Sequence, residues 1–185
     1  MKQLFTMNFL AKSWVPFLGA ILLSFLLLVS CEGDTESASN KPFGNCRYGA
    51  PKAIFKPTFP KVTKHNFQLN KAAAVENIAF ENGLTLELVQ SGCEKPRQEF
   101  QFDLAVDTDG FTDTDWINLG VELFGFMGNL APELQPFLLW QGALKDKISQ
   151  LKLGLPHELE QGFMVKIDKV AGGDASLLIM ALYQK

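Results

Sequence analysis

The spacing of apolar residues changes twice along this chain, and that change constrains the fold more than any other feature. From residue 75 to residue 106, apolar and polar side chains mostly alternate, as they do in strands with one buried face. From residue 116 to residue 127, the apolar spacing becomes three to four residues, which is typical of an amphipathic helix. Strand-like runs return after residue 163. This order predicts an α+β fold, in which a mainly antiparallel sheet (an N-terminal meander plus a C-terminal hairpin) carries two helices packed on one face.

Local signals give approximate bounds for these elements. Strands are predicted at residues 66–69, 75–80, 84–90, 98–106, 163–170 and 177–183. The first helix is expected to begin with Thr112, Asp113 or Thr114 as its cap, and the second to begin after Pro132 or Pro136 and to run to about residue 153. The pair Asn82-Gly83 predicts a tight hairpin in which both residues adopt positive φ. Because strand 177–183 is apolar on both faces, we expect it inside the sheet.

The first 30 residues have a different composition from the rest of the chain. They contain Lys2 and Lys12, no acid, and an almost wholly apolar run over residues 14–30. A basic start followed by an apolar run of this length is typical of a secretory signal peptide. The run is shorter than the ~20 apolar residues that a membrane span requires, and Pro16 interrupts it. An uncleaved membrane anchor and an ordinary secreted protein are the alternatives.

The end of this segment is more specific. The sequence Leu28-Val29-Ser30-Cys31 resembles the lipobox of bacterial lipoproteins. The resemblance implies that Cys31 becomes the lipidated first residue and that several acyl chains anchor the protein to a membrane. The acids that follow Cys31 resemble those of lipoproteins in some Gram-negative lineages, which implies an exported protein on the cell envelope, at the outer membrane. The domains expected are a signal peptide at 1–30, a flexible acidic and polar tether at 31–45, and one globular domain at 46–185.

Two cysteines remain once Cys31 carries lipid. In an exported chain, Cys46 and Cys93 most simply form one disulfide bond. The functional alternative is a free Cys93 acting as a nucleophile, with His65 or His157 as its base.

Charge is segregated along the chain. Residues 41–71, which we call the basic arm, contain seven basic residues and no acid, whereas the body from residue 76 is acidic. The candidates for contact with anionic envelope material are Arg47, Lys52, Lys56, Lys61 and Lys64, which alternate with aromatic residues. The alternatives are a solvated segment that covers the sheet, or an arm docked on the acidic body. A nucleic-acid partner is not expected for an exported protein with an acidic body.

Few residues suggest catalysis or metal binding. The carboxylates of Asp107, Asp109, Asp113 and Asp115 are weak candidates for a Ca²⁺ site, because their spacing does not follow the EF-hand pattern. The other interpretation is a loop whose acids cap the next helix. His157 precedes Glu158 as in a zinc-protease motif, but the second histidine is missing, so we expect a surface loop residue there. No cofactor is expected.

The leading functional hypothesis is therefore a non-enzymatic envelope lipoprotein that presents its domain for binding or assembly, with a membrane and an envelope protein as partners. A second hypothesis is a carrier of an apolar ligand, held between the sheet and the aromatic residues of the helices. Those residues are Trp116, Phe124, Phe137 and Trp140. A third is an envelope hydrolase that uses carboxylates.

Overall fold

The computed structural model describes residues 43–44, 46–71, 73–172 and 175–185. It contains seven strands and two helices, which confirms the predicted α+β class. The strands are β1 Val62–Leu69, β2 Ala73–Phe80, β3 Thr85–Ser91, β4 Arg97–Asp103, β5 Pro156–Glu160, β6 Phe163–Gly172 and β7 Ala175–Gln184. The helices are α1 Asp113–Gly128 and α2 Pro136–Lys147, and a short 3-10 turn, Pro132–Leu134, precedes α2.

All seven strands belong to one antiparallel sheet with the order β1-β2-β3-β4-β7-β6-β5. The N-terminal meander β1–β4 and the C-terminal strands meet where β4 pairs with β7. Because β7 has neighbours on both sides, its position confirms that the strand with two apolar faces is internal.

The two helices pack on the same face of the sheet. Phe124 of α1 and Phe137 of α2 both contact Phe100 of β4, with ring centroids 5.1 and 5.7 Å apart respectively. Phe124 and Phe137 also contact each other at 5.7 Å. Of the four aromatic residues in the carrier hypothesis, Trp116, Phe124 and Phe137 are buried, and the half-buried Trp140 packs on Phe163. Aromatic rings in mutual contact therefore fill the core between sheet and helices.

The edge strand β5 was not predicted, and α2 is shorter than expected. The helix ends at Lys147 rather than near residue 153, and His157 lies in β5 rather than in a loop. Only Leu159 of β5 is buried, so the strand offers no run of alternating apolar residues to detect. Pro156 fits the first position of this edge strand, where no backbone N–H needs to pair. β1 also begins earlier than predicted, at Val62 rather than at residue 66, and its register has an irregularity between Val62 and Lys64.

The turn between β2 and β3 differs from the predicted two-residue hairpin. Gly83 has positive φ (83°), whereas Asn82 does not. The Phe80 N–H donates to the Leu84 carbonyl at 2.9 Å, and the Gly83 N–H donates to the Phe80 carbonyl at 3.1 Å. This is the pattern of a three-residue loop that ends in a glycine with positive φ. Asn82 contributes its side-chain oxygen, which accepts a hydrogen bond from the Leu84 N–H at 3.3 Å.

Within the described residues, no helix has the length and apolar character needed to cross a membrane.

Candidate functional site

The face of the sheet opposite the helices, which we call the open face, carries a row of polar side chains. Asn66, Asn77, Glu87 and Gln101 occupy paired positions on the four neighbouring strands β1 to β4. Their neighbours along each strand, such as Ile78, point into the core because side chains alternate between the two faces of a sheet. The open face therefore aligns three amides and one carboxylate across four strands.

A hollow of about 510 Å³ lies over this row. Its lining includes the polar row and the neighbouring side chains of Lys64, Thr85 and Asp103. Asn66, Asn77, Thr85 and Asp103 are exposed to solvent. The hollow thus offers a ligand both hydrogen-bond donors and hydrogen-bond acceptors, and it is lined by a cationic group as well as by carboxylates.

The open face also carries a hydrogen-bonded carboxylate on β4, that of Glu99, two residues before Gln101. Arg97 donates a hydrogen bond to Glu99 at 2.7 Å, and this bond is the main cause that lowers the pKa of the Glu99 carboxyl. Gln101 also donates to Glu99, at 2.9 Å, and lowers that pKa further. Glu99 is therefore an ionised member of the open face at neutral pH.

The basic arm is docked on the domain through apolar and backbone contacts rather than through its charges. Phe55 and Phe59 are buried in the core. The N–H groups of Ile54 and Phe55 donate hydrogen bonds to the carboxylate of Glu76, at 2.9 and 2.8 Å. The side chain of Glu76, on strand β2, thus binds main-chain N–H groups of the arm.

Glu76 is fully buried, with 0% of its surface exposed. Its Oε1 also lies 2.7 Å from Nε2 of His65, a side chain that is 11% exposed. The carboxylate therefore joins three segments: residues 54–55 of the basic arm, strand β1 at the end of that arm, and β2. Sequence reasoning missed this role. The available signal was one acid at a core-facing position of β2, between Ala74 and Ile78.

The five predicted cationic residues of the arm, Arg47, Lys52, Lys56, Lys61 and Lys64, are all exposed. Lys56 pairs with Glu133 at 2.8 Å, but both side chains are more than half exposed, so the pair contributes little to stability. Lys61 lies 5.6 Å from the ring centroid of Phe126, while Lys64 lines the hollow. The structure therefore distributes these cations over different sides of the domain.

The four candidate calcium ligands do not converge. Asp115 forms a capping box with Thr112 at the start of α1, and Asp113 pairs with Lys169 at 3.1 Å. Asp107 accepts a hydrogen bond from the Asp109 N–H at 2.8 Å. Across the described part of the chain, no three His, Cys, Asp or Glu side chains lie close enough together to hold a metal ion.

The capping box makes stability depend on pH. Hydrogen bonds from the Thr112 side chain and backbone lower the pKa of Asp115, so the ionised form stabilises the fold. A lowered folded-state pKa gives stability that is present above the unfolded-state pKa of about 3.9 and is lost as pH falls through the folded-state value. We expect Asp115→Asn to destabilise the protein at pH 7 and to have a smaller effect at pH 3. Urea unfolding at both pH values tests this, with Asp109→Asn as the control; an equal loss for both variants at pH 7 would contradict the capping role.

Cys46 and Cys93 form the predicted disulfide bond. It joins the start of the basic arm to the loop between β3 and β4. Gly92 precedes this bond with φ of 89°, and a Cβ there would meet the Lys95 carbonyl oxygen, so a glycine is required. Cys93 is therefore not a free thiol. Cys31 and the signal-peptide residues lie outside the described residues.

His157 also has a structural partner. Its Nε2 accepts a hydrogen bond from the Lys152 N–H at 2.9 Å, which ties β5 to the segment that follows α2. Each of the two histidines thus forms a hydrogen bond within the fold.

The fold and the candidate site together define an α+β domain with one helix-covered sheet face and one open polar face. No family model, curated protein or solved structure matches this chain.

Proposed function

We propose that this protein is a lipid-anchored lipoprotein of the bacterial cell envelope and that its domain is a non-enzymatic binding or assembly module that binds a partner protein. The observation that carries the binding role is the hollow of about 510 Å³ on the open face. Its volume lies within the range of about 300–1,000 Å³ that small-molecule pockets occupy, so it has room for a few side chains of a partner. Among the described residues, the helices cover the other face, so the open face is the broad surface left for a partner.

The rigidity of the domain supports a binding role. The disulfide closes a loop of 47 residues, and the buried carboxylate of Glu76 accepts two main-chain hydrogen bonds from the basic arm. A surface held in one conformation loses little conformational entropy on binding, which favours affinity.

The residues of the thiol-based alternative are engaged in structural contacts, which removes the support for a nucleophilic Cys93. Cys93 is in the disulfide, His65 contacts Glu76 and His157 accepts from a backbone amide. With Cys93 in the disulfide, neither histidine has a thiol there to deprotonate, and a general base must lie within hydrogen-bond reach of the proton that it takes.

The anchor is tested with Cys31→Ser. We expect the wild-type chain to incorporate labelled palmitate and to fractionate with membranes, and the variant to lose both properties, because Cys31 supplies the thiol that accepts the lipid. Labelling and fractionation in the native host measure this. Unchanged labelling of the variant would contradict lipidation at Cys31.

The binding surface is tested separately, by affinity capture of tagged full-length protein after light cross-linking. Asn77→Arg places a large cation in the hollow, and Gln150→Arg makes the same charge change at an exposed position away from the open face. We expect a stoichiometric partner with wild type and Gln150→Arg, and its loss with Asn77→Arg. Equal recovery with all three proteins would contradict a role for the hollow.

A further inference from the structure

The two outer strands of the sheet differ in how well they are protected against pairing with another chain. β5 has five residues, begins with Pro156, and has an irregular register between Glu158 and Glu160. Short length, proline, bulges and charge are the features that protect an edge. β1 has eight residues, contains no proline and carries one lysine, Lys64. Its irregularity is confined to its first residues, between Val62 and Lys64.

The register identifies which backbone groups of β1 are free to pair. The Asn70 N–H donates to the Ala73 carbonyl at 2.8 Å, where the β1–β2 hairpin closes. Hydrogen-bonded positions recur at every second residue of an antiparallel pair, so the N–H and C=O groups of His65, Phe67 and Leu69 point away from β2. Within the described ranges, no other strand pairs with this edge.

Charge indicates what kind of segment this edge accepts. Lys64 is exposed along the length of β1 and Lys71 just past its end, whereas Lys61, just before its start, lies against Phe126 on the helix side. The nearest acid in sequence, Glu76, is buried and already bonded. A second copy of this chain would bring the same lysines to the edge and would be repelled, whereas an acidic segment would be attracted.

The two faces of β1 refine the expected pattern. Lys64, Asn66 and Gln68 project onto the open face, and Phe67 and Leu69 project to the other side, where Leu69 is 44% exposed. An added strand places its alternate side chains beside these two sets. Acidic residues therefore fit on the open-face side of the added strand, and apolar residues fit on the other side.

We propose that the β1 edge binds an extended segment of a partner protein in which acidic and apolar residues alternate, adding an eighth strand to the sheet. Main-chain hydrogen bonds supply affinity in this mode, and alternate side chains supply specificity. The proposal rests on the binding role proposed above and names the class of partner. The added strand lies beside Lys64 and Asn66, so the hollow is continuous with it.

The test uses the full-length protein in detergent and two synthetic ten-residue peptides, one alternating Glu with Val and one alternating Lys with Val. We expect the acidic peptide to bind about tenfold more tightly, since the surface charge pairs with Lys64 and Lys71 change sign between the peptides. Amide exchange measured by NMR should slow at His65, Phe67 and Leu69 when the acidic peptide binds. Lys64→Glu should weaken that binding, whereas Lys95→Glu, the same change at an exposed loop position, should not.

Equal affinity for the two peptides, or slowed exchange at positions away from β1, would overturn this inference. Its failure is distinguishable from failure of the proposed function. If Asn77→Arg abolishes partner capture but the β1 amides and the Lys64→Glu variant show no effect, the binding role stands and the edge does not carry it.

Discussion

Replacing Glu76 with alanine is expected to lower the free energy of unfolding by about 4 kcal/mol. The N–H groups of Ile54 and Phe55 then lose the carboxylate that accepts their hydrogen bonds, and each buried group left unsatisfied costs about 1–3 kcal/mol. His65 also loses its contact with the carboxylate. Urea unfolding of the full-length protein measures the change.

Two further variants separate this effect from a simple loss of charge. Glu76→Gln keeps one acceptor oxygen but turns an NH₂ group toward a backbone donor, so its expected cost is about half that of alanine. Glu81→Gln makes the same charge change at an exposed site and should change stability by less than about 0.5 kcal/mol. Similar small losses for all three variants would show that Glu76 does not hold the basic arm.

Removing the disulfide is expected to lower the free energy of unfolding by a similar amount. The double variant Cys46→Ser, Cys93→Ser is expected to lose about 4 kcal/mol, because the bond closes a 47-residue loop and restricts the unfolded chain. The measurement is urea unfolding of the variant against wild type, with reduced wild type as a second comparison.

Cys31→Ser is the matched control for this experiment, because it removes a cysteine without touching the disulfide. Its free energy of unfolding should equal that of wild type. A double variant as stable as wild type would contradict a stabilising role for the bond. A reduced wild type more stable than the double variant would point to a cost of the serines themselves.

Much of the fold follows from the period of the apolar residues. The alternation that ends in Phe100 and Phe102 places both rings on one face of β4, and the later spacing brings Phe124 to the same core. The disulfide follows from the cysteine count. These features are predictable because each depends on residues that are close in sequence or few in number.

Other features depend on contacts that no local pattern reveals. β5 buries only Leu159, so its strand character comes from pairing with β6. The docking of the basic arm depends on Glu76, more than 20 positions from Ile54 and Phe55. The hollow is formed by side chains from several strands, and its volume is set by the shape of the sheet.

The arm also shows why charge segregation was an incomplete guide. The bases suggest attraction to the acidic body, yet Phe55 and Phe59 anchor the segment and most of the cations stay in solvent. Burial of an aromatic side chain contributes about 2–3 kcal/mol, more than an exposed ion pair such as Lys56 with Glu133.

Site-specific photo-cross-linking in the native host tests the binding surface most directly. A photoreactive amino acid replaces Gln68, which lies on β1 at the margin of the open face, or Leu139, which is 77% exposed on α2. We expect one discrete protein adduct from position 68 and none from position 139. An adduct from position 139 alone, or none from either position, would contradict a binding module that uses the open face and the β1 edge.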